Sequence, residues 1–429
     1  MMLAGPRLSI NLATLLTFGA FAALVLNAML GPLAALTFLA CAGLLMISNV
    51  PLSVDSVRRY WFVLLLPVYC IFTALWSLYP SNSIRYGVQL GFTLVFAIVM
   101  TGRLSTTTLM RLMFAVYGIG VLASIGLGRT GTGGAWLGVF GSKNAFAAHI
   151  AVFMLIAVAI AADRHSPALL RLSGVAGTIV SGPLLVLAQS TGAILMVAPC
   201  LAIILLTLLI TRLTGMQKLL LVALVSIALA AIALGVFVAG DALMAEILEG
   251  SGKDATLTGR TDLWATGLSY IAERPLQGLG YRSFWVIGFA PAEELWAMFD
   301  VPSGAGFNFH NTYISNAVEI GLVGLGLQVA LIYGGAALMA AYAFARPNAP
   351  NALLLSLQAL MILRSFIEVE VFFEFSIRSI MGVATLLYAI QGLLALRHQR
   401  PVPVRHHPGG LLSHVGLSSR PRPYPHPHL

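Results

Sequence analysis

A set of polar residues with the chemistry to bind phosphate and to move a proton is scattered among long apolar stretches of this sequence. An arginine guanidinium binds phosphate oxygens through two parallel hydrogen bonds, and a lysine ammonium supplies a compact positive charge. A histidine at the border of an apolar region can accept a proton from a hydroxyl group near neutral pH. The residue types therefore suit a lipid-linked pyrophosphate substrate. The residues are Arg85, Lys143, Asn144, Arg260, Arg282, His310 and Asn311.

Further polar residues lie inside the apolar stretches, where an ionisable side chain is costly. Arg364 and Glu368 are one helical turn apart, so we expect them to form an ion pair on one helix. Glu319 either faces the same outer cavity as His310 or pairs with an arginine of a neighbouring span, and the pairing is the favoured alternative. The other members of this group are His149, Gln189 and Gln328.

The composition places the chain among membrane proteins. Of its 429 residues 59% are hydrophobic and 9% are charged, and the mean hydropathy is +0.92, whereas a soluble domain has about 25% charged residues. The apolar runs are continuous rather than alternating, which disfavours a β-barrel. We predict an all-α integral membrane protein with about twelve transmembrane helices of about 20 residues each. The predicted spans are 9–30, 32–50, 60–79, 84–101, 109–128, 145–162, 169–188, 192–211, 218–240, 312–344, 351–367 and 376–396.

The basic residues predict the orientation of the chain in the membrane. Of the 24 Lys and Arg residues, 15 fall on the side of the N-terminus, most of these in short loops, and basic short loops are cytoplasmic. Residues 1–240 are therefore predicted to form a bundle of about nine helices, 241–311 a large extracytoplasmic loop, and 312–396 the last helices. The Pro-, His- and Arg-rich residues 397–429 are predicted to be a disordered cytoplasmic tail lying against lipid head groups.

The large polar loop is predicted to be folded. Helical patterning follows Thr258 and Thr261, either of which can cap the helix, and Pro275 ends it. The glycines at 278–280 predict a turn, and a second short helix is predicted to open at Pro291. These helices would lie across the outer mouths of the spans.

Several classes of function are disfavoured by the sequence. It has no GxSxG elbow, no GxxxxGK[ST] phosphate loop, no HExxH and no CxxC. The net charge of +9 is spread between the spans like orientation signals, so we expect no nucleic-acid partner. The 3 cysteines lie in apolar runs without metal-ligand spacing, so we expect packing residues and no metal site.

The motifs around the polar residues resemble those of a known family. GRTDLW, followed by ERPLQGLGY and then by HNTYISNAVEIGLVGLG, is similar to the pattern of the O-antigen ligase and polymerase superfamily (Wzy C-terminal type). Upstream, GSKNAFAAH is similar to the Lys-Asn motif of that family. The motifs occur in the same order as in the family, and the large number of predicted transmembrane helices is also typical of the family.

The resemblance implies an inverting, membrane-embedded glycosyltransferase without a metal, nucleotide or other cofactor. Its donor would be a glycan on undecaprenyl pyrophosphate, and its acceptor another glycan or lipid A core. Carried over by position, Arg260 would bind donor phosphate and His310 would be the essential residue near the reacting centre. Asn311 would orient His310, and Lys143 and Asn144 would line the outer cavity. The expected substrate-binding set is completed by Arg85, Arg282 and Glu319.

One departure from the family pattern bears on the reaction. Ligases of the family usually have a Ser-Arg-Gly/Thr motif at the outer end of a mid-chain span, whereas this chain has Ser190 and Thr191 without an arginine. Arg85 or Lys143 could substitute for it. The departure favours the exopolysaccharide-polymerase branch of the family.

The leading hypothesis is therefore a polymerase that joins lipid-linked repeat units on the outer face of the bacterial inner membrane. An O-antigen ligase acting on lipid A core is the alternative within the family, and a transporter or flippase or a scaffold subunit are alternatives of other classes. Both termini would be cytoplasmic and the large loop periplasmic. Besides membrane lipids, the expected partners are a flippase, a chain-length regulator and export proteins.

Overall fold

The chain folds almost entirely into helices in the part described by a computed structural model, which covers residues 11–131, 133–221, 224, 254–301 and 307–398. The predicted all-α class is confirmed for these residues, apart from a short antiparallel hairpin of Arg129–Thr130 (β1) and Trp136–Gly138 (β2). The helices are α1 (Leu12–Val25), α2 (Asn27–Leu30), α3 (Pro32–Ile47), α4 (Val50–Arg59), α5 (Leu65–Phe72), α6 (Pro80–Thr101), α7 (Thr106–Leu127), α8 (Lys143–Ala162), α9 (Ala168–Leu187), α10 (Thr191–Leu209), α11 (Asp254–Glu273), α12 (Ala290–Met298), α13 (Thr312–Ala345), α14 (Ala349–Ser365) and α15 (Ile377–His398).

Among the described residues, 7 helices are long and apolar enough to cross a membrane. An eighth span would form if α3 and α4, which are bent by 96° at their junction, counted as one. The helices within the predicted spans 9–30 and 60–79 are shorter, and most of the predicted span 218–240 lies outside the described residues. A membrane protein is thus confirmed, whereas the total of about twelve spans and the orientation stay predictions. The 7 helices are α6, α7, α8, α9, α10 with its 3-10 extension to Arg212, α13 and α15.

The bundle is held together by close helix–helix approaches. The helix α8 packs against α7, α9 and α14, and α13 packs against α14 and α15. At Gly174 of α9, an added Cβ would lie 2.7 Å from the backbone nitrogen of Ala161 in α8. Small residues permit such backbone contacts between helices in a membrane, where van der Waals packing supplies much of the association energy.

The helix α13 is interrupted at Gly321, where a turn of the polar region fills the break. Gly321 has φ 62° and ψ −177°, a backbone conformation essentially restricted to glycine. The backbone N–H of Leu322 donates to the carbonyl of Pro275 at 2.7 Å, and that of Gly280 donates to the carbonyl of Glu319 at 2.8 Å. Backbone groups freed by the break are therefore satisfied by the turn, as they must be inside an apolar bundle.

The same turn is also tied to the residues that follow α5 and to the start of α6. The hydroxyl of Thr73 accepts from the backbone N–H of Tyr281 at 2.9 Å, and the hydroxyl of Ser83 donates to the Tyr281 carbonyl at 2.9 Å. The Trp76 indole donates to the Gln277 carbonyl at 3.2 Å. The predicted turn at 278–280 is confirmed, with positive φ at Gly278 and Gly280.

The polar region has a hydrophobic core of its own, which we call the aromatic cluster. The predicted helices are confirmed: α11 ends at Glu273, just before Pro275, and α12 has Pro291 in its first turn. The predicted start of α11 was wrong, because the helix already begins at Asp254. Helical backbone precedes both Thr258 and Thr261, so neither residue caps the helix. The aromatic cluster consists of Leu263, Leu279, Phe284, Ala292, Leu295, Trp296, Phe309 and Val318.

Candidate active site

His310 lies immediately before the N-terminus of α13 in a strained and well-anchored conformation. Its φ is 49°, which is uncommon for a residue with a side chain and is often found at functional sites. Its backbone N–H donates to Asn308 Oδ1 at 2.7 Å. The next residue, Asn311, caps α13 by accepting from the backbone N–H groups of Tyr313 and Ile314 at 2.9 and 3.1 Å. The helix cap thus fixes the position of His310.

The start of α13 is fastened to residues 366–376, which connect α14 and α15 and which we call the acidic segment. The Asn311 side chain donates to the Phe366 carbonyl at 3.1 Å. The Thr312 hydroxyl donates to the Glu368 carbonyl at 2.8 Å and accepts from the Glu370 N–H at 2.9 Å. His310 is therefore held in register with the glutamates of the acidic segment.

Glu368 faces His310, at 3.3 Å from Glu368 Oε2 to His310 Nδ1. The predicted ion pair between Arg364 and Glu368 was wrong, since the Arg364 Nε donates to Glu370 Oε1 at 2.8 Å instead. The reason is that α14 ends at Ser365, so Glu368 does not continue the helix on which Arg364 lies. Glu368 is free to reach the histidine.

The positive charge of Arg260, on α11, also acts on this carboxylate. One turn further along this helix, the Trp264 indole donates to the Phe309 carbonyl at 2.8 Å, which fixes that face of α11 beside His310. Burial raises the pKa of Glu368, but the hydrogen bond and charge of His310, and the charges of Arg364 and Arg260, lower it overall. Glu368 is thus ionised, paired with His310 and subject to the positive charge of Arg260.

A second group of charges surrounds Arg282. Its guanidinium pairs with Glu374 at 2.5 Å, and its backbone N–H donates to Glu319 Oε2 at 2.9 Å. The guanidinium also lies over the rings of Tyr86 and Phe373, at 5.1 and 4.7 Å from their centroids. Burial acts to lower the pKa of Arg282, but the charge of Glu374, together with its other neighbours, raises it above the ordinary value, so the side chain stays positive.

Glu319 is buried and supports the Arg282 turn through that backbone hydrogen bond. The sequence favoured an ion pair between Glu319 and an arginine of a span, and no such pair is found among the described contacts. The alternative, that Glu319 faces the outer cavity and contacts substrate, stays a prediction.

A third group places two arginines on one buried carboxylate. Glu370, whose side chain is 3% exposed, receives Arg364 Nε at 2.8 Å and Arg378 Nε at 3.3 Å. Each arginine uses a different oxygen of the carboxylate. The side chain of Arg364 is 12% exposed and that of Arg378 is 46% exposed, so the second arginine is the accessible one.

The remaining predicted site residues lie apart from His310 in the described contacts. Lys143 and Asn144 are the first residues of α8, and Asn144 is exposed. Arg85 is exposed near the start of α6, with its guanidinium 5.4 Å from the centroid of the Tyr86 ring. Thr191 begins α10.

A cavity of about 410 Å3 lies beside the third group and has apolar walls from α1, α7, α8, α14 and α15. Arg364, Glu370 and Arg378 line it, together with Glu374 and the buried His149. The His149 Nε2 is 2.9 Å from the Tyr117 carbonyl, and its ring stacks on the Tyr117 ring at 4.6 Å between centroids. This polar residue of a span is thus accounted for by local packing.

The glutamates of the acidic segment and Arg378 are the main residues that sequence reasoning missed. The segment reads FIEVEVFFEFS between two apolar helices. Carboxylates at the end of a membrane helix are costly unless they are paired. Three glutamates so close together could therefore have indicated basic partners from other helices. Within the described residues, no group of three or more His, Cys, Asp or Glu side chains could hold a metal ion.

Two comparisons with known proteins bear on this site. The sequence profile of the family described as O-antigen ligase (Wzy C-terminal type) matches residues 176–329, a range that includes Arg260 and His310. Over 361 residues the chain is 31% identical to the exopolysaccharide production protein ExoQ of Rhizobium meliloti (strain 1021), covering 82% of this chain and 81% of that protein. The chain belongs to the O-antigen ligase family.

Membership of the O-antigen ligase family confirms the resemblance drawn from the motifs. The family membership and the apolar helices together show a ligase- or polymerase-type protein of a bacterial membrane. The profile match ends at residue 329, before the acidic segment. The contacts of Glu368, Glu370 and Arg378 are therefore known from the structure and not from the family profile.

Proposed function

We propose that the protein polymerises undecaprenyl-pyrophosphate-linked repeat units into exopolysaccharide on the outer face of the inner membrane. The observation that carries the proposal is the convergence of Arg260 and His310, from distant parts of the sequence, on Glu368 at the end of an apolar bundle. The similarity to an exopolysaccharide production protein supports the polymer as the product.

The proposed reaction transfers the donor glycan with inversion. The acceptor hydroxyl oxygen attacks the anomeric carbon of the donor, and the bond from that carbon to the diphosphate oxygen breaks with its electron pair going to the diphosphate. The hydroxyl proton passes to His310 as general base. Arg260 binds the diphosphate and stabilises the negative charge that develops on it. The reaction so written needs neither a metal nor a nucleotide.

Glu368 has the role of a positioning residue in this proposal. An ionised carboxylate facing Nδ1 favours the tautomer with hydrogen on that nitrogen, which leaves Nε2 as the basic nitrogen. His310 Nε2 has no hydrogen bond to the described residues. It is therefore the ring nitrogen available to an acceptor hydroxyl.

The other predicted site residues are assigned supporting roles in the same proposal. Asn311 orients His310 through the cap of α13, and Glu319 positions Arg282 through the backbone of its turn. Lys143 and Asn144 at the start of α8 would bind the glycan away from the bond that breaks. The same role is assigned to Arg85 and Arg282, which share Tyr86 as a neighbour.

A deletion strain tests the proposed function. We expect single repeat units to accumulate on the lipid carrier and secreted high-molecular-weight glycan to disappear, because initiation of the repeat unit would remain intact. The measurement is the size distribution of lipid-linked and secreted glycans, with a plasmid copy of the gene as the control. Secreted glycan of unchanged length and yield would contradict the proposal.

Ligation to lipid A core is the alternative, because the matched family is described as O-antigen ligase. In that case the same deletion strain would accumulate long chains on undecaprenyl pyrophosphate, and lipid A core would stay bare. The absence of an arginine at Ser190–Thr191, where the resemblance expects one in ligases, favours the polymerase.

A further inference from the structure

The cavity of about 410 Å3 does not include the Arg260–His310 pair but neighbours it. Neither Arg260 nor His310 lines the cavity, whereas Arg364 and Glu370 do. The two places are joined by the Thr312 hydroxyl, which donates to the Glu368 carbonyl and accepts from the Glu370 N–H. A ligand in the cavity would therefore lie close to the reacting centre.

The arginines of the cavity are arranged to accept an anion. Arg364 and Arg378 each contact Glu370 through Nε, and the described residues provide no further hydrogen bond or ion pair for their terminal nitrogens. Two positive charges share one carboxylate, so the group has an excess positive charge. A guanidinium fork with unused nitrogens is suited to bidentate binding of phosphate oxygens.

The neighbouring carboxylates do not cancel this excess, because each is shared with another cation. Glu368, on which the charge of Arg364 acts, also faces His310 and the charge of Arg260. The other carboxylate of the lining, Glu374, is already paired with Arg282. The start of α15 also lines the cavity, with Ser376 just before the helix and Ile377 at its first position, and the start of a helix adds partial positive charge.

Most of the rest of the lining is apolar. Leu24, Met113, Val152, Leu360 and Met381 come from the surrounding helices. A ligand that satisfies both parts of the cavity has a phosphate-bearing head and a hydrocarbon tail. Ligand cavities of a few hundred Å3 with apolar walls and a few convergent polar groups are typical small-molecule sites.

We propose that this cavity binds the diphosphate and the adjoining isoprenoid of the lipid-linked donor, with Arg378 as the accessible phosphate-binding residue. The inference rests on the proposed function and adds residues to its donor site. The diphosphate of the donor is attached to the carbon that reacts, so it must lie near His310. In the acceptor, a repeat unit separates the diphosphate from the reacting hydroxyl, so the acceptor diphosphate need not lie near His310. Arg260 would contact the diphosphate from α11, and Arg378 from α15.

Binding without turnover tests the assignment. Purified protein in phosphatidylcholine nanodiscs would be titrated with undecaprenyl pyrophosphate, with undecaprenol, and with phosphatidic acid as an anionic phospholipid. We expect the wild type to prefer the pyrophosphate, and Arg378→Ala to weaken its binding by about tenfold or more, since an ionic hydrogen bond is lost. Glu370 keeps Arg364 in this variant, so the protein should fold, and its melting temperature would verify that it does.

Two further variants distinguish binding in the cavity from a general effect of positive charge on lipid binding. Arg274→Ala removes another exposed arginine of the polar region and should leave binding unchanged. Ala148→Phe fills the cavity from α8 and should weaken binding without a change in charge. Equal binding of pyrophosphate by the wild type, Arg378→Ala and Ala148→Phe would overturn the assignment, as would equal or tighter binding of phosphatidic acid. Failure of the proposed function would show separately, as unchanged polymer in the deletion strain.

Discussion

In the proposed mechanism Glu368 determines, at the scale of single residues, which nitrogen of His310 acts as the base. Sequence motifs were sufficient to select Arg260 and His310 as partners, because both belong to patterns that the family shares. They could not supply Glu368, since its spacing from Arg364 predicted a helical pair instead. The end of α14 at Ser365, which the apolar run up to 367 did not indicate, decides between the two pairings.

Replacing Glu368 by Gln should lower polymerisation about 10- to 100-fold, in the range found for residues that orient an acting histidine. We expect the turnover rate to fall while the concentration of donor needed for half-maximal rate stays the same, because Arg260 still binds the diphosphate. Glu294→Gln, at an exposed position of α12, is the matched control. Full turnover in Glu368→Gln would refute the positioning role.

The same variant should change how stability depends on pH. The partners of Glu368 lower its pKa in the folded protein, so the carboxylate stabilises the fold above the ordinary carboxyl pKa of about 4.3. This contribution is lost as the pH falls through the lower pKa of the folded state. Melting curves should show a lower melting temperature for Glu368→Gln than for the wild type at neutral pH, with a difference that persists down to about pH 4.3 and shrinks below it. A constant difference would argue against an ionised Glu368.

At the scale of elements, the turn at 275–280 and the break in α13 depend on each other. The turn was predictable, because glycines and a proline punctuate the sequence there. The break was not, because 312–344 reads as one continuous apolar span. Its position follows from tertiary contacts: Gly321 sits against the Leu276 carbonyl, where a Cβ would collide.

Replacing Gly321 by Ala should destabilise the protein by about 1–3 kcal/mol or more, because the backbone would be strained and the turn displaced. Gly326→Ala is a control in the same helix, where an added Cβ would meet no atom within 4 Å, and alanine is the better helix former. Melting temperatures in detergent would measure both. Equal stability of the two variants would contradict the coupling of turn and helix.

At the scale of the whole molecule, composition predicted a helical membrane protein with a folded polar region, and the structure and comparisons agree with this class. The number of spans was less predictable. Several apolar runs contain short or bent helices, such as α1 and the α3–α4 pair, so run length alone does not fix the number of crossings. The aromatic cluster explains why the polar region is ordered: Leu263, Trp296 and Phe309 bury an apolar core outside the bundle.

The central claim is that Arg260 and His310 act together on a lipid-linked donor, and purified protein tests it most directly. In nanodiscs with an undecaprenyl-pyrophosphate-linked repeat unit, a chelator and no ATP, we expect the wild type and Arg274→Ala to lengthen the glycan and release undecaprenyl pyrophosphate. His310→Ala should lose about 100- to 10,000-fold of this rate, the usual contribution of a general base, and Arg260→Ala should lose donor binding as well. Wild-type rates in both variants would contradict the account.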